Sequence, residues 1–549
     1  MTFLKNLFIY FRYKRFNKLH FKKNNFPNSE NLILIEFNRF KTFHVSVAII
    51  ANILAKKFKA NMACYPEISF HKCVDGKQTL KNKLFFFLGN ILKTKDFGIF
   101  YSFGVKKIFN VPVNSPYYEE ALRIKKRYIK KIKTKDNLLK FKLNNILIGD
   151  LIYDSYLKYY KKETVNISHV TFSYFFQKSI EYYLFWFYYF KKNNVKAVIT
   201  PQASLLSALP LRLAIYFSSK AIVADQQYLF QLNKNRIYPH KQWLDFQKDI
   251  KRKDVKKNIS KGLELAKKRL MLRFAGQASV DIPYIYKSPY KKKNNLKNMV
   301  LKKNNRLKIL IAPHSFVDAP HAIGNHLFAD YYEWLIYILK LSKMTKYDWY
   351  IKCHPNFYNR NQDPSAQIVE SLCKEYKNVK YLDQTTSHYQ IISEKIDYVI
   401  TCNGTIAMEY PYLGIPAING SMVTPYNFKF NYNPKTIKEL KMIILNLKKK
   451  KFKVNRKKIL EIYFLRHIYY SNDWLYENMN ELIQYCKEWQ LVHINPAAYE
   501  FFLERSKSVY SKQKYDALKR FVNSKDYMFT FNHLGINLSD QILSQKKIY

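Results

Sequence analysis

The stretch "DWYIKCHPNF" at residues 348–357 ends an apolar run on Cys353 and His354, with Pro355 directly behind them. A Cys-His pair can ligate a metal, form an activated thiol, or hold an anion. Thiol activation fails on geometry, because neighbours along a strand point to opposite faces and His354 would not face the Cys353 sulfur. Three more polar clusters each follow an apolar run: "PHSFVDAPHAIGNH" (313–326), "DQTTSH" (383–388) and "CNGTIAMEY" (402–410). The first places His314, Asp318 and His321 within eight residues, a spacing that a metal could use. With no HExxH pattern and no second carboxylate cluster, no metal is expected. His314 and Asp318 are read instead as catalytic candidates facing an anionic substrate, where histidine can carry a proton; a merely structural loop is the competing reading.

In "CNGTIAMEY", Asn403, Gly404 and Thr405 form a turn that opens a helix. Free N–H groups at a helix start, with their partial positive charge, suit a phosphate. Glu409 lies four residues past Thr405 on the same face, where it could accept hydrogen bonds from ribose hydroxyls. A plain strand–turn–helix with a capping Thr fits the same letters. Of only 12 glycines in the chain, Gly404, Gly414 and Gly420 fall within 17 residues, which concentrates backbone freedom here.

The first half offers fewer reactive groups. Asp150 and Asp154 in "GDLIYD" are four apart and would share a helix face. Asp150 ends an apolar run and is the first candidate for a general base, ahead of Glu36. Capping by Asp150 and a surface position for Asp154 is the alternative.

The elements that must position these residues read as two α/β domains. "NLILIEF" (31–37), a helical stretch at 44–60 and "NMACY" give strand, helix, strand, the sign of a parallel sheet. The alternation continues through 145–160, a long helix at 167–190 and "VKAVIT" (195–200). After a Lys- and Asn-rich linker at 288–306 it restarts, with strands at 307–313, 347–352, 379–382, 397–401 and 416–419 separated by helices. The expected organisation is a basic arm at 1–30, an N-terminal α/β domain at 31–287 on the acceptor side, and a linker at 288–306. A C-terminal α/β domain then spans 307–447, and a helical tail at 448–549 partly packs back on the N-terminal domain. The fold class is α/β: two doubly wound Rossmann-like domains facing each other, with a helical extension. Ligands of such sheets sit beyond the carboxyl ends of the strands.

Composition narrows the partners. Lys+Arg 94 against Asp+Glu 40 gives a net charge of +54, but the excess is spread along the chain together with Asn, Ile, Tyr and Phe. No zinc-finger, RRM or KH signature accompanies it, so nucleic acid is not expected, whereas an anionic lipid or substrate is. Six cysteines without C-x-x-C spacing argue for reduced thiols and a cytoplasmic setting. The first 23 residues lack a signal-peptide pattern; being basic and aromatic, they suit a membrane surface or a solvated arm equally. "YYLFWFYYF" (182–190) is nine residues long, too short to span a bilayer, and reads as a core helix.

Taken in order, strand-"HP", "NGTxxxE" and "GIPAI" resemble the C-terminal half of GT-B-type glycosyltransferases. Within them the chain looks most like the surface-carbohydrate and capsular polysaccharide biosynthesis proteins, a group that includes capsular Kdo transferases and, more distantly, polysialyltransferases. "IGDLIYDSYL" (148–157), "RFAGQASVDIPY" (273–284) and "PHSFVDAPH" (313–321) add to the likeness, which is specific over 307–430 and looser over 31–285. The resemblance implies that the C-terminal domain binds a nucleotide-sugar, CMP-linked in the nearest groups, as substrate and with no cofactor. His354 and Pro355 would contact phosphate or cytidine, Asn403, Gly404 and Thr405 the phosphate region, and Glu409 the ribose. Ser387 would add a second phosphate contact, and an Asp or Glu of the N-terminal lobe would be the base. The acceptor would be a glycan or glycolipid, and the protein cytoplasmic or peripheral on the inner face of the cytoplasmic membrane. A glycerophosphotransferase or sugar-nucleotide epimerase shares this architecture, and a non-enzymatic basic protein binding membrane or nucleic acid is the rival outside enzymes.

Overall fold

A computed structural model describes residues 2–21, 26–67, 69–75, 80–112, 115–278, 280–281, 288–290, 299–323, 326–354, 363–421, 430–449, 453–470, 474–476, 479–486, 492–505 and 511–548. The chain forms two compact units by contact. The first comprises 1–153, 166–239 and 471–537, and the second 154–165, 240–470 and 538–549. The chain therefore changes units at 239/240, not at the Lys- and Asn-rich stretch near 288. That stretch has linker composition, yet Tyr290 within it is fully buried in the second unit.

The first unit carries a six-stranded sheet. Its strands are β1 (Asn31–Phe37), β2 (Asn61–Pro66), β3 (Val105–Ile108), β4 (Asn194–Thr200), β5 (Lys220–Ala224) and β6 (Leu229–Leu232), in the order β3-β2-β1-β4-β5-β6. All pairs are parallel except β5 with β6. Strands covered on both faces read as continuous apolar runs, as "LILI" in β1 does. Helices α1 (Thr2–Phe21), α2 (Lys41–Phe58), α3 (Leu80–Leu92), α4 (Lys95–Ser102), α5 (Gly149–Tyr160) and α6 (Val170–Lys192) belong to this part of the chain, α5 running on into the second unit. The first helix is not a solvated arm. Ile9 and Tyr13 are buried, and the Tyr13 ring stacks on Tyr499 at 4.4 Å. Residues 471–537 supply Trp474, Tyr499, Phe502 and Phe521 to the same core. The edge strand β6 is covered by the backbone of 527–529, with Gln231 N–H donating to Tyr527 and Phe529 N–H to Leu229, which removes an exposed sheet edge.

The second unit holds a five-stranded, wholly parallel sheet: β7 (Lys308–Ala312), β8 (Asp348–Lys352), β9 (Val379–Leu382), β10 (Tyr398–Thr401) and β11 (Ala417–Asn419), ordered β9-β8-β7-β10-β11. The order reverses between β7 and β10, so the fold provides a switch point at their carboxyl ends. The helices that matter here are α7 (Lys253–Phe274), α8 (Tyr331–Ser342), α9 (His388–Ser393) and α10 (Ile406–Tyr412). No described helix is long and apolar enough to cross a membrane.

Candidate functional site

The strand-end residues of the second unit converge as the sheet order requires. Tyr331, the first residue of α8, links the ends of β7 and β10: its ring lies 4.9 Å from that of His314, and its hydroxyl accepts from Asn403 Nδ2 at 3.3 Å. Burial, followed by the neighbouring charges of Cys402, Asp318 and Asp154, raises the Tyr331 phenol well above its ordinary range. His314, Asp318 and Asn403 thus share one neighbourhood.

Thr405 and Glu409 are held from the other side of the sequence. Arg273, at the end of α7, donates to Thr405 Oγ1 (2.9 Å) and pairs with Glu409 Oε1 (2.6 Å). Tyr290 donates to Glu409 Oε2 at 2.7 Å. Glu409 is buried, with Oε2 hydrogen-bonded by the tyrosine and Oε1 ion-paired with Arg273 but without a hydrogen bond. The same Arg273 reaches Asp281 (3.6 Å), which Arg269 also pairs at 2.9 Å. Burial alone would raise Asp281; Arg269, His467 and Arg273 hold it below the usual carboxylate range instead. Arg273 Nε is buried without a hydrogen-bond partner. A Cβ at Gly404 would make a tight contact, 3.3 Å, with Thr401 Oγ1.

The apolar run into Cys353 places Lys352 and His354 on one face and Cys353 on the other, among the core residues Ile351 and Val369. Burial pushes the Cys353 thiol up to about 12, which makes it inert. Lys352 is 3% exposed, and among the described residues its ammonium has no hydrogen bond or ion pair. Burial pulls it from 10.5 to about 8, only partly offset by the charges of Cys353 and Asp383. The Asp383 carboxylate is turned into its own loop, accepting from Thr385 N at 2.7 Å. His354 is lowered to about 3 by burial and then by Lys352, His314 and Arg273. His388, at the start of α9, is pushed well below its ordinary value by burial, Lys352 and His354, and its Nδ1 lies 2.6 Å from the Tyr410 hydroxyl. Groups that disfavour one another's protonated forms in this way lie where negative charge is scarce.

Other expected positions have structural partners. Ser387 caps α9, its Oγ accepting from Tyr389 N–H at 3.2 Å. Pro355 lies outside the described residues. Asp154 is not at the surface: it is 2% exposed and receives His321 Nδ1 (2.6 Å) and the His321 backbone N–H (3.0 Å). His321 Nε2 faces the Ala329 carbonyl at 2.8 Å, so both ring nitrogens are taken and neither can ligate a metal. Among the described residues no group of His, Cys, Asp and Glu could hold one.

In the first unit Asp150 is buried, and its Oδ2 accepts from Arg212 (2.7 Å) and Tyr238 (2.8 Å). Such a carboxylate anchors the start of α5 through Oδ2, while its Oδ1 is buried without a hydrogen-bond partner. Glu36, near the end of the central strand β1, is buried, and among the described residues it accepts from an amide, Asn38 Nδ2, at 3.3 Å. Burial and the negative charge of Glu67 raise its proton affinity well above the carboxylate norm, against a smaller opposing effect of Asn38.

Lys352, Arg273, Tyr290 and His388 were not singled out in the sequence. Lys352 lay inside the quoted strand and Arg273 inside a quoted block, but a lysine among 94 basic residues carries no signal until its burial is known.

Comparisons with known proteins add little. No family model matches the chain, and no curated protein matches it. Among solved structures, the UDP-GlcNAc 2-epimerase from Neisseria meningitidis bound to UDP-GlcNAc is similar at 13% identity, covering 86% of this chain and 98% of that one, with a TM-score of 0.18. A glycosyltransferase from Rickettsia africae ESF-5 is similar at 10% identity, covering 95% and 99%, with a TM-score of 0.21. At these TM-scores neither likeness supports a reading of function.

Proposed function

We propose that the protein is a GT-B-type glycosyltransferase, moving a sugar from a nucleotide-activated donor, such as a CMP-linked one, to a surface polysaccharide or a lipid-linked glycan. The observation that carries this reading is Lys352: a buried ammonium without a counter-ion among the described residues, next to His354 and His388 and at the carboxyl end of a parallel sheet. A lone buried cation is costly, and an anion that lands on it repays the cost. A nucleotide phosphate is such an anion. His354 is neutral at pH 7 and would hydrogen-bond the phosphate or the base, while Asn403 and Thr405 flank it from β10. Arg273 and Tyr290 position Thr405 and Glu409. Fixed cations at that place would stabilise the charge that grows on the leaving phosphate.

A thermal-shift screen with CMP, CDP, UDP and GDP tests it, because a ligand that binds only the folded state raises Tm by mass action. One nucleotide should raise the wild-type Tm, His354→Ala should weaken the response, and Cys353→Ser should leave it unchanged. No response to any of the four would sink the proposal. Product analysis with the matching nucleotide-sugar then separates transfer to an acceptor from isomerisation of the donor.

A further inference from the structure

In the first unit, apolar side chains face water in a pattern that helices normally reserve for their buried side. On α1 the exposed residues include Leu4 (71%), Leu7, Phe8 and Phe11 (61%), spaced i, i+3, i+4, i+7. On α3, Leu84, Phe87 (61%), Leu88 and Ile91 (57%) repeat the same spacing and are also exposed, with Phe85 and Leu92 beside them. That periodicity marks one continuous stripe on each helix. Each helix also has a properly buried side: Ile9 and Tyr13 on α1, Phe86 on α3. The outward stripes are therefore additional to what folding needs. Of the 23 large hydrophobic side chains exposed among the described residues, 11 lie on these two helices, a concentration that scattered surface residues do not produce.

The two helices belong to one surface region, because both pack on α4. Asn17 of α1 donates to Ser102 of α4 at 3.0 Å, and Tyr101 of α4 donates to Asn90 of α3 at 2.6 Å. The charge carried by the two helices has a single sign, although Lys5 of α1 pairs with Glu500 at 3.6 Å. Neither α1 nor α3 contains an Asp or Glu. Lys5, Arg15 and Lys18 are exposed on α1, and Lys93 and Lys95 follow α3. Arg39 lies over the exposed Phe85 ring at 6.0 Å, and Arg12 over Phe8 at 5.8 Å, so the guanidinium groups sit at the margin of the apolar stripes.

We propose that α1 and α3 together form a surface that lies in the headgroup layer of an anionic bilayer, with the two stripes among the acyl chains and the basic residues at the phosphates. Cationic helices with an exposed apolar stripe that are too short or too charged to span take this interfacial position. A second copy of the chain fits worse. A two-fold contact would set the lysines and arginines of one copy against those of the other, with no acidic residue on either helix to offset them. A bilayer containing phosphatidylglycerol supplies the missing charge.

The proposal stands independently of sugar transfer and is tested with the full-length protein. Flotation is measured with phosphatidylcholine vesicles and with vesicles of about one-third phosphatidylglycerol, at near-physiological salt. Wild type should float with the anionic vesicles and stay behind with the neutral ones. The pair Phe87→Glu and Ile91→Glu, and separately Leu4→Glu and Phe11→Glu, should each lower the bound fraction about tenfold or more. All four positions are exposed, so Tm and the response to nucleotide should not change. Absence of wild-type flotation, or flotation retained by both paired variants, overturns the proposal. So does a wild-type dimer in analytical ultracentrifugation that the same substitutions dissociate without altering vesicle binding.

Discussion

Lys352 links stability to ligand binding in opposite directions. Its proton affinity in the folded chain, about 8, lies below the ordinary 10.5. Between those values the unfolded chain holds more protons, so the lysine's penalty is fully present below pH 8 and fades as pH rises toward 10.5. Lys352→Met should therefore stabilise the ligand-free protein at pH 7, by about 1–3 kcal/mol in urea unfolding, while abolishing the thermal shift given by nucleotide. A phosphate beside the ammonium would restore its proton affinity. Nucleotide affinity should thus be flat below pH 8 and fall by up to about tenfold per pH unit above it, a slope that titration calorimetry reads and Lys352→Met removes. Asp150 makes the contrasting case. Asp150→Ala leaves Arg212 buried and unpaired, and should cost about 3–5 kcal/mol without changing the nucleotide response.

At the scale of elements, the start of α5 is fixed by close approach. A Cβ at Gly149 would lie 1.7 Å from the Leu138 carbonyl oxygen, so Gly149→Ala must push the helix off its neighbour and should lower stability by about 2 kcal/mol or more. The strands of both sheets were legible because parallel strands covered on two faces are unbroken apolar runs, as in "KILIA" and "YVIT". The strand-end clusters were legible for the same reason, since chemistry follows the runs. The Arg273–Glu409–Asp281 network was not: it joins residues 136 apart in sequence, and charge pairing at that distance leaves no periodic trace. The partners of Glu409 and Ser387 were not legible either, since the letters display neither the ion pair of the one nor the helix cap of the other. Helix α1 was read as an arm from its basic and aromatic composition, which does not show that Ile9 and Tyr13 are buried.

Several histidines spread over the molecule are held neutral by burial. His44 is lowered from 6.5 to about 4, with Nε2–H donating to the Asn38 carbonyl and Nδ1 accepting from Tyr499. His326 and His354 are lowered to about 3. Because the folded values lie below the unfolded one, stability is intact above pH 6.5 and is lost as pH falls toward 4. His44 alone should cost about 2 kcal/mol at pH 5, and His44→Gln should flatten the drop in Tm between pH 7 and 5. The division of the chain has a consequence for synthesis. Strands β1 to β6 leave the ribosome early, yet Trp474, Tyr499 and Phe521, which close their core, follow only after the roughly 230 residues of 240–470 have been made. At ordinary elongation rates that interval is roughly 10–50 s. For that time the nascent first unit presents an open apolar face, and a holding chaperone has a defined window in which to cover it.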